Sequence, residues 1–380
     1  MNKLIWVILF LGLLLRIGIY HQTQLSYPNG TKIRISDRVT SEPVRYPESQ
    51  YFRLQGLKIY LPLYPEVSYG DRLVVEGEVD GEKLKKAKLI TLTSSRGQLF
   101  GFRKKIIAFY QSALPADHAA LVAGVTIGSK SGISTEFWEK LKRSGTAHVV
   151  VASGMNVTLV GKFLVSFFIY FFSRKRAVLL ALAGIWFYSI ISGFDAPIVR
   201  AAIMGSVAFT AIEAGRLSNA WRALFLSAAV MLFLRPDWIS DYGFLLSFAA
   251  TASILAFEKK IKTRLKSVPS IIREDLSTTL AAQIGVVPIF LYGFGQFNLM
   301  APIYNVMVLW TIVPMTMIGM FAGIMGVIFE PVGKLVLLLS YPLTSWFTIV
   351  ISNFHFPINF QLYNLLINWR LETGICGLSR

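Results

Sequence analysis

A histidine and a serine lie five residues apart in the segment SGTAHVVVASGMN, which runs from Ser144 to Asn156. Such a pair could act as base and nucleophile in acyl transfer if the two side chains met. On a continuous α-helix, five residues turn through about 500°, which leaves His148 and Ser153 about 140° apart around the axis. Only a helix break at Ser153-Gly154 would bring them together. A serine hydrolase is therefore a weak interpretation of this segment.

The same segment is rich in residues that let a chain turn or break. These residues are Ser144, Gly145, Thr146, Ser153 and Gly154. Glycine and small polar residues permit a turn at little steric cost, and a broken span exposes backbone groups to a cavity. We expect such a turn or break at a pore entrance here, with His148 and Asn156 as polar groups beside it.

Motifs for metal or nucleotide chemistry are missing from the sequence. Its four histidines match no zinc or di-metal spacing, and neither HxHxDH nor HExxH occurs. The single cysteine allows neither an intrachain disulfide nor a thiolate cluster. No GxxxxGK[ST] phosphate-binding loop is present. We therefore expect no cofactor, no catalytic metal and no ATP hydrolysis in this chain, and a transport channel rather than an enzyme.

Long apolar segments set the fold class. Hydrophobic residues make up 54% of the 380 residues, and the mean hydropathy is +0.55. Several windows are long enough to cross a bilayer core of roughly 30 Å, which predicts a mainly α-helical polytopic membrane protein. Residues 1–20 are interpreted as a membrane anchor, because no small-residue cleavage site of a signal peptide follows. The other spans, about nine with the anchor, are expected at 146–172, 177–193, 197–214, 219–234, 242–257, 276–293, 301–328 and 333–352.

Between the anchor and the spans the sequence becomes polar. Residues 31–95 combine β-formers with Gly, Pro and Asp turns, including the hairpin signal Asp80-Gly81. They predict a small five-stranded β-barrel of OB type, with a simple β-sandwich as the alternative. Residues 97–145 predict an amphipathic helical connector. The channel part is then expected at 146–352 and a C-terminal tail at 353–380.

Basic residues in the short loops predict the orientation of the spans. The loops at 173–176 and 258–275 are rich in Lys and Arg, whereas those at 192–197 and 293–300 contain none. We expect a multi-pass inner-membrane protein with a cytoplasmic N-terminus and the β-domain outside. Residues 21–145 hold 19 basic and 12 acidic residues. This excess could attract a polyanion or could simply belong to a solvated surface.

Polar side chains inside the predicted spans are costly and usually face a cavity or a partner. The positions that stand out are Lys162, Arg200, Asp241, Gln283 near Pro288, and Asn305 near Pro302. Arg200 could snorkel to the interface or point into a pore, and Asp241 could simply cap a helix. Because several spans pair a polar side chain with a breaker, we expect discontinuous helices around a water-filled path. Polar groups that only hold helices together are the alternative.

The motif residues resemble those of a known family. Residues 128–160, GSKSGISTEFWEKLKRSGTAHVVVASGMNVTLV, resemble the signature region of ComEC-type competence proteins. Weaker similarities follow in IVRAAIM at 198–204, in the 235–257 segment and in the Gln-to-Pro segment at 281–314. The resemblance covers about residues 100–340. It implies an inner-membrane channel that passes single-stranded DNA into the cytoplasm during natural transformation, with an OB-like domain near the N-terminus.

Two departures from the family pattern leave the mechanism open. Asn156 stands where the family usually has histidine, and an amide can hydrogen-bond but cannot titrate. The metallo-β-lactamase-like domain of many members leaves no trace here, so DNA uptake would need a separate nuclease and a separate ATP-driven helicase. Single-stranded DNA and the lipid bilayer are the expected partners, and an oligomer is compatible with the sequence. The alternatives are a transporter of another polyanion or solute and an intramembrane serine hydrolase.

Overall fold

In the computed structural model of the chain, a small mixed β-sheet precedes a mostly helical part. The structure describes residues 3–23, 28–39, 43–45, 48–93, 98–130, 132–150, 154–213, 219–294, 296–298, 300–353 and 359–361. The strands are β1 (Lys32–Arg38), β2 (Val44–Arg45), β3 (Ser49–Leu54), β4 (Leu57–Pro62), β5 (Arg72–Asp80), β6 (Lys83–Thr93), β7 (Gln296–Asn298) and β8 (Asn359–Gln361).

The helices follow the order of the predicted apolar segments. They are α1 (Lys3–Thr23), α2 (Gln98–Ala113), α3 (Ala116–Ile127), α4 (Thr135–Ser144), α5 (Ala147–Val150), α6 (Gly154–Phe168), α7 (Arg174–Ile191), α8 (Ala196–Glu213), α9 (Ala220–Leu234), α10 (Tyr242–Arg264), α11 (Ser270–Phe294), α12 (Ala301–Ile328), α13 (Glu330–Leu338) and α14 (Tyr341–Asn353). A 3₁₀-helix, Pro236–Ser240, lies between α9 and α10.

Strands β1 to β6 form one sheet in the order β1-β5-β6-β4-β3-β2. Neighbours are antiparallel except β4 and β6, which run parallel. Alternate side chains of β5 are buried, as the two-residue period of a strand requires when one face is covered. The hairpin predicted at Asp80-Gly81 is confirmed between β5 and β6, with Gly81 at a φ of 57°. The sheet has six strands rather than the expected five, because β2 is too short to show an alternation.

Helix α3 lies within the core of the helical part. Its residues from Ala119 to Ile127 are all buried. They share one core with α2, α4, α5, α12 and α14. Gly124 permits the close approach of α5, because a Cβ there would collide with the carbonyl oxygen of Val150. Within the expected connector at 97–145, α3 is therefore packed into the helical core.

Helix α8 packs against α6, α7, α9 and α10. α10 and α11 form a long hairpin, in which Gly285 lies against the backbone of Ala249. The basic loop expected at 258–275 is mostly helical, because α10 continues to Arg264 and α11 begins at Ser270. An ion pair between Lys262 and Glu274, with a nitrogen–oxygen distance of 2.5 Å, joins the two helices beside the turn.

A helix occupies the position of each predicted internal span, but fewer helices meet the length and composition of a span. Among the described residues, the segments Ala147–Phe168, Ile272–Gly293 and Ala301–Ile328 are long and apolar enough to cross a membrane. The segment predicted at 333–352 consists of α13 and α14, which are bent by 45° and count as a fourth candidate if taken together. The other predicted spans coincide with helices that are shorter or more polar.

Candidate functional site

The Ser-Gly-Thr step forms a left-handed turn that ends α4. Gly145 has a φ of 74°, and its N–H and that of Thr146 return to the last carbonyls of α4. The hydroxyls of Ser144 and Thr146 lie 2.7 Å apart, and both residues are buried. A Cβ at Gly145 would stand 2.6 Å from the Cβ of Ala301 at the start of α12. Both the backbone angle and this contact require glycine.

His148 hydrogen-bonds to the backbone of the turn that precedes it. His148 lies in α5, and its Nδ1 is 2.9 Å from the carbonyl oxygen of Gly145 in the turn just before it. Its ring is exposed and bound to that local backbone. Ser153 lies outside the described residues, so the predicted break at Ser153-Gly154 stays a prediction.

Three helices satisfy the last carbonyls of α3. Asn156 of α6 donates from Nδ2 to the oxygen of Val125 at 2.5 Å, and the hydroxyl of Tyr188 on α7 donates to Thr126 at 2.9 Å. Arg103 of α2 donates to the oxygen of Ile127 at 2.9 Å and also to that of Ile191 at the end of α7. A helix end leaves its final carbonyls without intrahelical partners, so this buried end of α3 is completed by its neighbours.

Asn156 is fully buried in this arrangement. Its Oδ1 has no hydrogen-bond partner among the described residues, nor do the Thr126 and Ser192 hydroxyls close by. The side chain is thus a helix-end donor in the core. It does not project into open space, and its expected position beside a pore entrance stays a prediction.

Arg200 lies in the second turn of α8 and reaches two other helices. Its guanidinium donates to the Thr251 hydroxyl of α10 and lies 5.9 Å from the centre of the Phe248 ring. On the other side, its Nη2 is 3.0 Å from the place that a Cβ of Gly154 would occupy. Within the described ranges no carboxylate pairs with Arg200, and its Nε is buried without a hydrogen-bond partner.

Gly154 is the first described residue of α6. The structure brings the predicted residues Gly154 and Arg200 together, two residues before Asn156. This electropositive point, among apolar helices and without a paired carboxylate, is suited to an anion.

The other predicted site residues lie elsewhere. Asp241 caps α10 by accepting the Phe244 N–H at 2.9 Å, which is the simpler of its two interpretations. Gln283 is partly exposed and Pro288 exposed on α11, and Asn305 is buried in α12 with an unpartnered Oδ1.

The expected breaks in these two helices are not present. α11 continues through Pro288, and α12 has Pro302 in its first turn, where a missing N–H costs no intrahelical bond. The prediction of discontinuous helices was therefore wrong for α11 and α12.

The sequence analysis did not single out Arg103, Tyr110 or Tyr188, whose polar groups donate long-range hydrogen bonds in the structure. Tyr110 donates from its hydroxyl to the Gly319 carbonyl at 2.8 Å, deep between α2 and α12. Each of these residues occurs in an ordinary amphipathic or apolar stretch, and none has a motif around it. No local signal in the sequence therefore predicts their long-range partners.

The class of this helical protein, with its turn at Gly145 and its arginine without a paired carboxylate, is identified by comparison with known proteins. A family model described as Competence protein matches residues 125–371. This is more than half of the chain, so the chain belongs to the competence protein family, and the resemblance seen at 128–160 is confirmed.

Two curated relatives agree with this assignment. ComE operon protein 3 of Bacillus subtilis (strain 168) is 28% identical over 293 residues, which cover 74% of this chain and 33% of the relative. Competence protein ComA of Neisseria gonorrhoeae is 26% identical over 223 residues, which cover 54% of this chain and 30% of the relative. The chain spans about a third of the length of these relatives. The comparison with solved structures finds no match.

Proposed function

We propose that the chain forms an inner-membrane channel through which single-stranded DNA passes into the cytoplasm during natural transformation. Membership of the competence protein family supports a role in DNA uptake. One of the relatives is named Competence protein ComA, and the other is named ComE operon protein 3. This proposal treats the chain as a transport channel and not as an enzyme.

The observation that carries the proposal is the placement of Arg200. Its cation stands among apolar helices, beside Gly154 of α6, with no carboxylate partner within the described ranges. An unpaired charge at such a position is costly unless water or an anion compensates it. A chain of phosphates supplies that compensation repeatedly as it moves, whereas a fixed carboxylate would trap the cation in a static ion pair.

The finer topology is part of the same proposal. About nine spans with a cytoplasmic N-terminus would place the sheet outside, where its OB-type surface would collect DNA. The shorter helices α8 and α9 would cross the bilayer within the bundle, where neighbouring helices shield them. Ser144, Gly145, Thr146, His148, Ser153, Gly154 and Asn156 would form the outer entrance, and Asp241, Gln283, Pro288 and Asn305 would line or shape the path.

The expected partners follow from the chemistry that the chain lacks. A separate nuclease would remove one strand outside, and an ATP-driven helicase would pull the other strand inside.

Deletion of the gene in a naturally transformable host tests the proposal. Strains with and without the chain are given DNA labelled on one strand, and the DNA that becomes resistant to external nuclease is measured. We expect the deletion to abolish this protected DNA and a plasmid copy of the chain to restore it. Normal uptake in the deletion strain would overturn the proposal, and loss of another polyanion's transport in the same strain would favour the alternative transporter.

A further inference from the structure

A groove between α6 and α8 extends inward from Arg200. Near its outer end, Ala201 of α8 is 3.2 Å from the Cβ position of Gly154, and further inward Phe209 is 3.4 Å from that of Gly161. Gly205 lies one helical turn from each of these α8 residues, yet a Cβ there would meet no atom within 4 Å. The contact between the two helices is therefore interrupted at Gly205.

The face of α6 beside this gap is exposed and polar. Thr158 and Lys162 follow Gly154 at intervals of four residues, and both are exposed. Residues four apart lie on one face of a helix, so they form a stripe with Gly154. We call Gly154, Thr158 and Lys162 of α6, with Arg200 and Gly205 of α8, the α6–α8 groove.

The groove carries two cations without counter-charges. Neither Lys162 nor Arg200 has an ion pair among the described residues. The sequence of α6 contains no Asp or Glu, and that of α8 contains one, at its last residue. Eight residues separate Gly154, where Arg200 lies, from Lys162, which is about 12 Å along the helix. Two cations at two depths of one groove match an extended polyanion better than a single small anion.

The glycine at 205 leaves room for such an occupant. Its backbone does not have a positive φ, so the backbone conformation does not require glycine there. A glycine in a helix interior is less favourable than alanine, and here no close packing of a neighbouring helix explains it. The open space above Gly205 is the remaining physical reason for the small residue.

We propose that the α6–α8 groove is the phosphate-binding track for the translocating single strand. Arg200 and Lys162 contact phosphates at the outer and inner levels, Thr158 lies between them, and Gly205 leaves space for the strand. This inference rests on the proposed function, because it names the path that the transported DNA takes through the channel.

Salt dependence of binding tests the role of Lys162. Full-length protein in detergent is titrated with a fluorescent oligothymidine at several salt concentrations. Each phosphate contact on a single strand contributes about 0.7 to the slope of log K against log salt concentration. We expect Lys162→Gln to lower the magnitude of the slope by about this amount. Lys334→Gln is the matched control, because Lys334 also lies on an apolar helix but pairs with Glu330 at 2.7 Å. An unchanged slope in Lys162→Gln would overturn the proposal.

Filling the gap tests the path in living cells. Gly205→Leu introduces a side chain into open space, so we expect normal protein levels and uptake as low as in the deletion strain. Gly18→Leu in α1 is the control, since a Cβ at Gly18 also meets nothing within 4 Å. Uptake at the unaltered rate in Gly205→Leu, in a host where deletion abolishes uptake, would reject the groove and leave the proposed channel function intact.

Thiol labelling separates DNA from the other possible occupants. A Lys162→Cys, Cys376→Ala chain is treated with a charged, water-soluble thiol reagent with and without oligothymidine. We expect labelling that the oligonucleotide blocks, whereas Leu179→Cys on the exposed face of α7 should not be protected. Labelling that the oligonucleotide does not affect would place Lys162 at the lipid headgroups. Disulfide-linked dimers through residue 162 would assign the groove to a second copy, and either result would overturn the proposal.

Discussion

The side-chain amide of Asn156 donates a hydrogen bond to the carbonyl oxygen of Val125, 31 residues earlier in the chain. It joins the first turn of α6 to the last turn of α3. Tyr188 and Arg103 satisfy the next two carbonyls in succession. The end of α3, the most buried helix of the core, thus depends on donors from three other helices.

Replacing Asn156 tests whether the stability of the protein depends on the hydrogen bond that this side chain donates or on its lack of an ionisable group. Asn156→Ala leaves the Val125 carbonyl without its donor, which we expect to cost about 1–3 kcal/mol of stability. Asn156→His can still donate an N–H and should lose less, whereas an ionised Asn156→Asp can only accept and should lose more. Thermal unfolding of the full chain in detergent would rank the three variants. Equal melting temperatures for the alanine and histidine variants would contradict a donor role.

Arg103 should be more sensitive to a conservative change than a surface arginine. One guanidinium nitrogen of Arg103 serves the carbonyls of Ile127 and Ile191, while the same side chain lies 5.8 Å from the Tyr69 ring of the sheet region. A lysine has no planar fork for this geometry, so Arg103→Lys should unfold at a lower temperature by an amount equivalent to about 1–3 kcal/mol.

The exposed Arg174 at the start of α7 provides the comparison for Arg103. Arg174→Lys should be close to neutral, because exposed surface substitutions usually stay within about 0.5 kcal/mol. Similar effects of the two substitutions on thermal unfolding would show that the carbonyl contacts of Arg103 contribute nothing.

Gly124 and Gly145 should tolerate no side chain, for different reasons. Gly124→Ala places a methyl group against the Val150 carbonyl oxygen and must push α5 away from α3. Gly145→Ala combines a left-handed backbone with a contact to Ala301, and the backbone alone costs about 1 kcal/mol. We expect both to reduce the yield of folded protein in detergent-solubilised membranes.

The matched control for these glycines is Gly101 in α2. A Cβ there would meet nothing within 4 Å, and alanine is the better helix former by about 1 kcal/mol. Gly101→Ala should therefore be neutral or stabilising. A loss of folded protein as large as that of Gly124→Ala would show that helix packing does not explain the result.

Asp241 should act through its cap rather than through charge in a pore. Asp241→Ala removes the acceptor for the Phe244 N–H, with an expected cost of about 1 kcal/mol, whereas Asp241→Asn retains it. Uptake and thermal stability are measured for both variants. Normal stability with lost uptake in Asp241→Asn would instead assign the carboxylate a role in transport.

Features encoded by a few neighbouring residues could be predicted well. The helix positions, the Asp80-Gly81 hairpin and the possible cap at Asp241 each follow from patterns within one turn or one element. The five-strand expectation failed at β2, where two residues are too few to form a pattern. The expected breaks at Pro288 and Pro302 are not present: α11 continues through Pro288, and Pro302 lies in the first turn of α12, where its missing N–H costs no intrahelical bond.

The sequence by itself determined the apolar helical class, the family signature at 128–160 and the presence of a turn near Gly145, since each depends on residue type and local spacing. Only the tertiary structure decided that α3 is central, that Asn156 completes its end, and that Arg200 lies between α6 and α10. These relationships join residues 31 and 51 positions apart. Their physical reason is the packing of helices that no local pattern specifies, because a helix face shows what it can bury but not which partner will cover it.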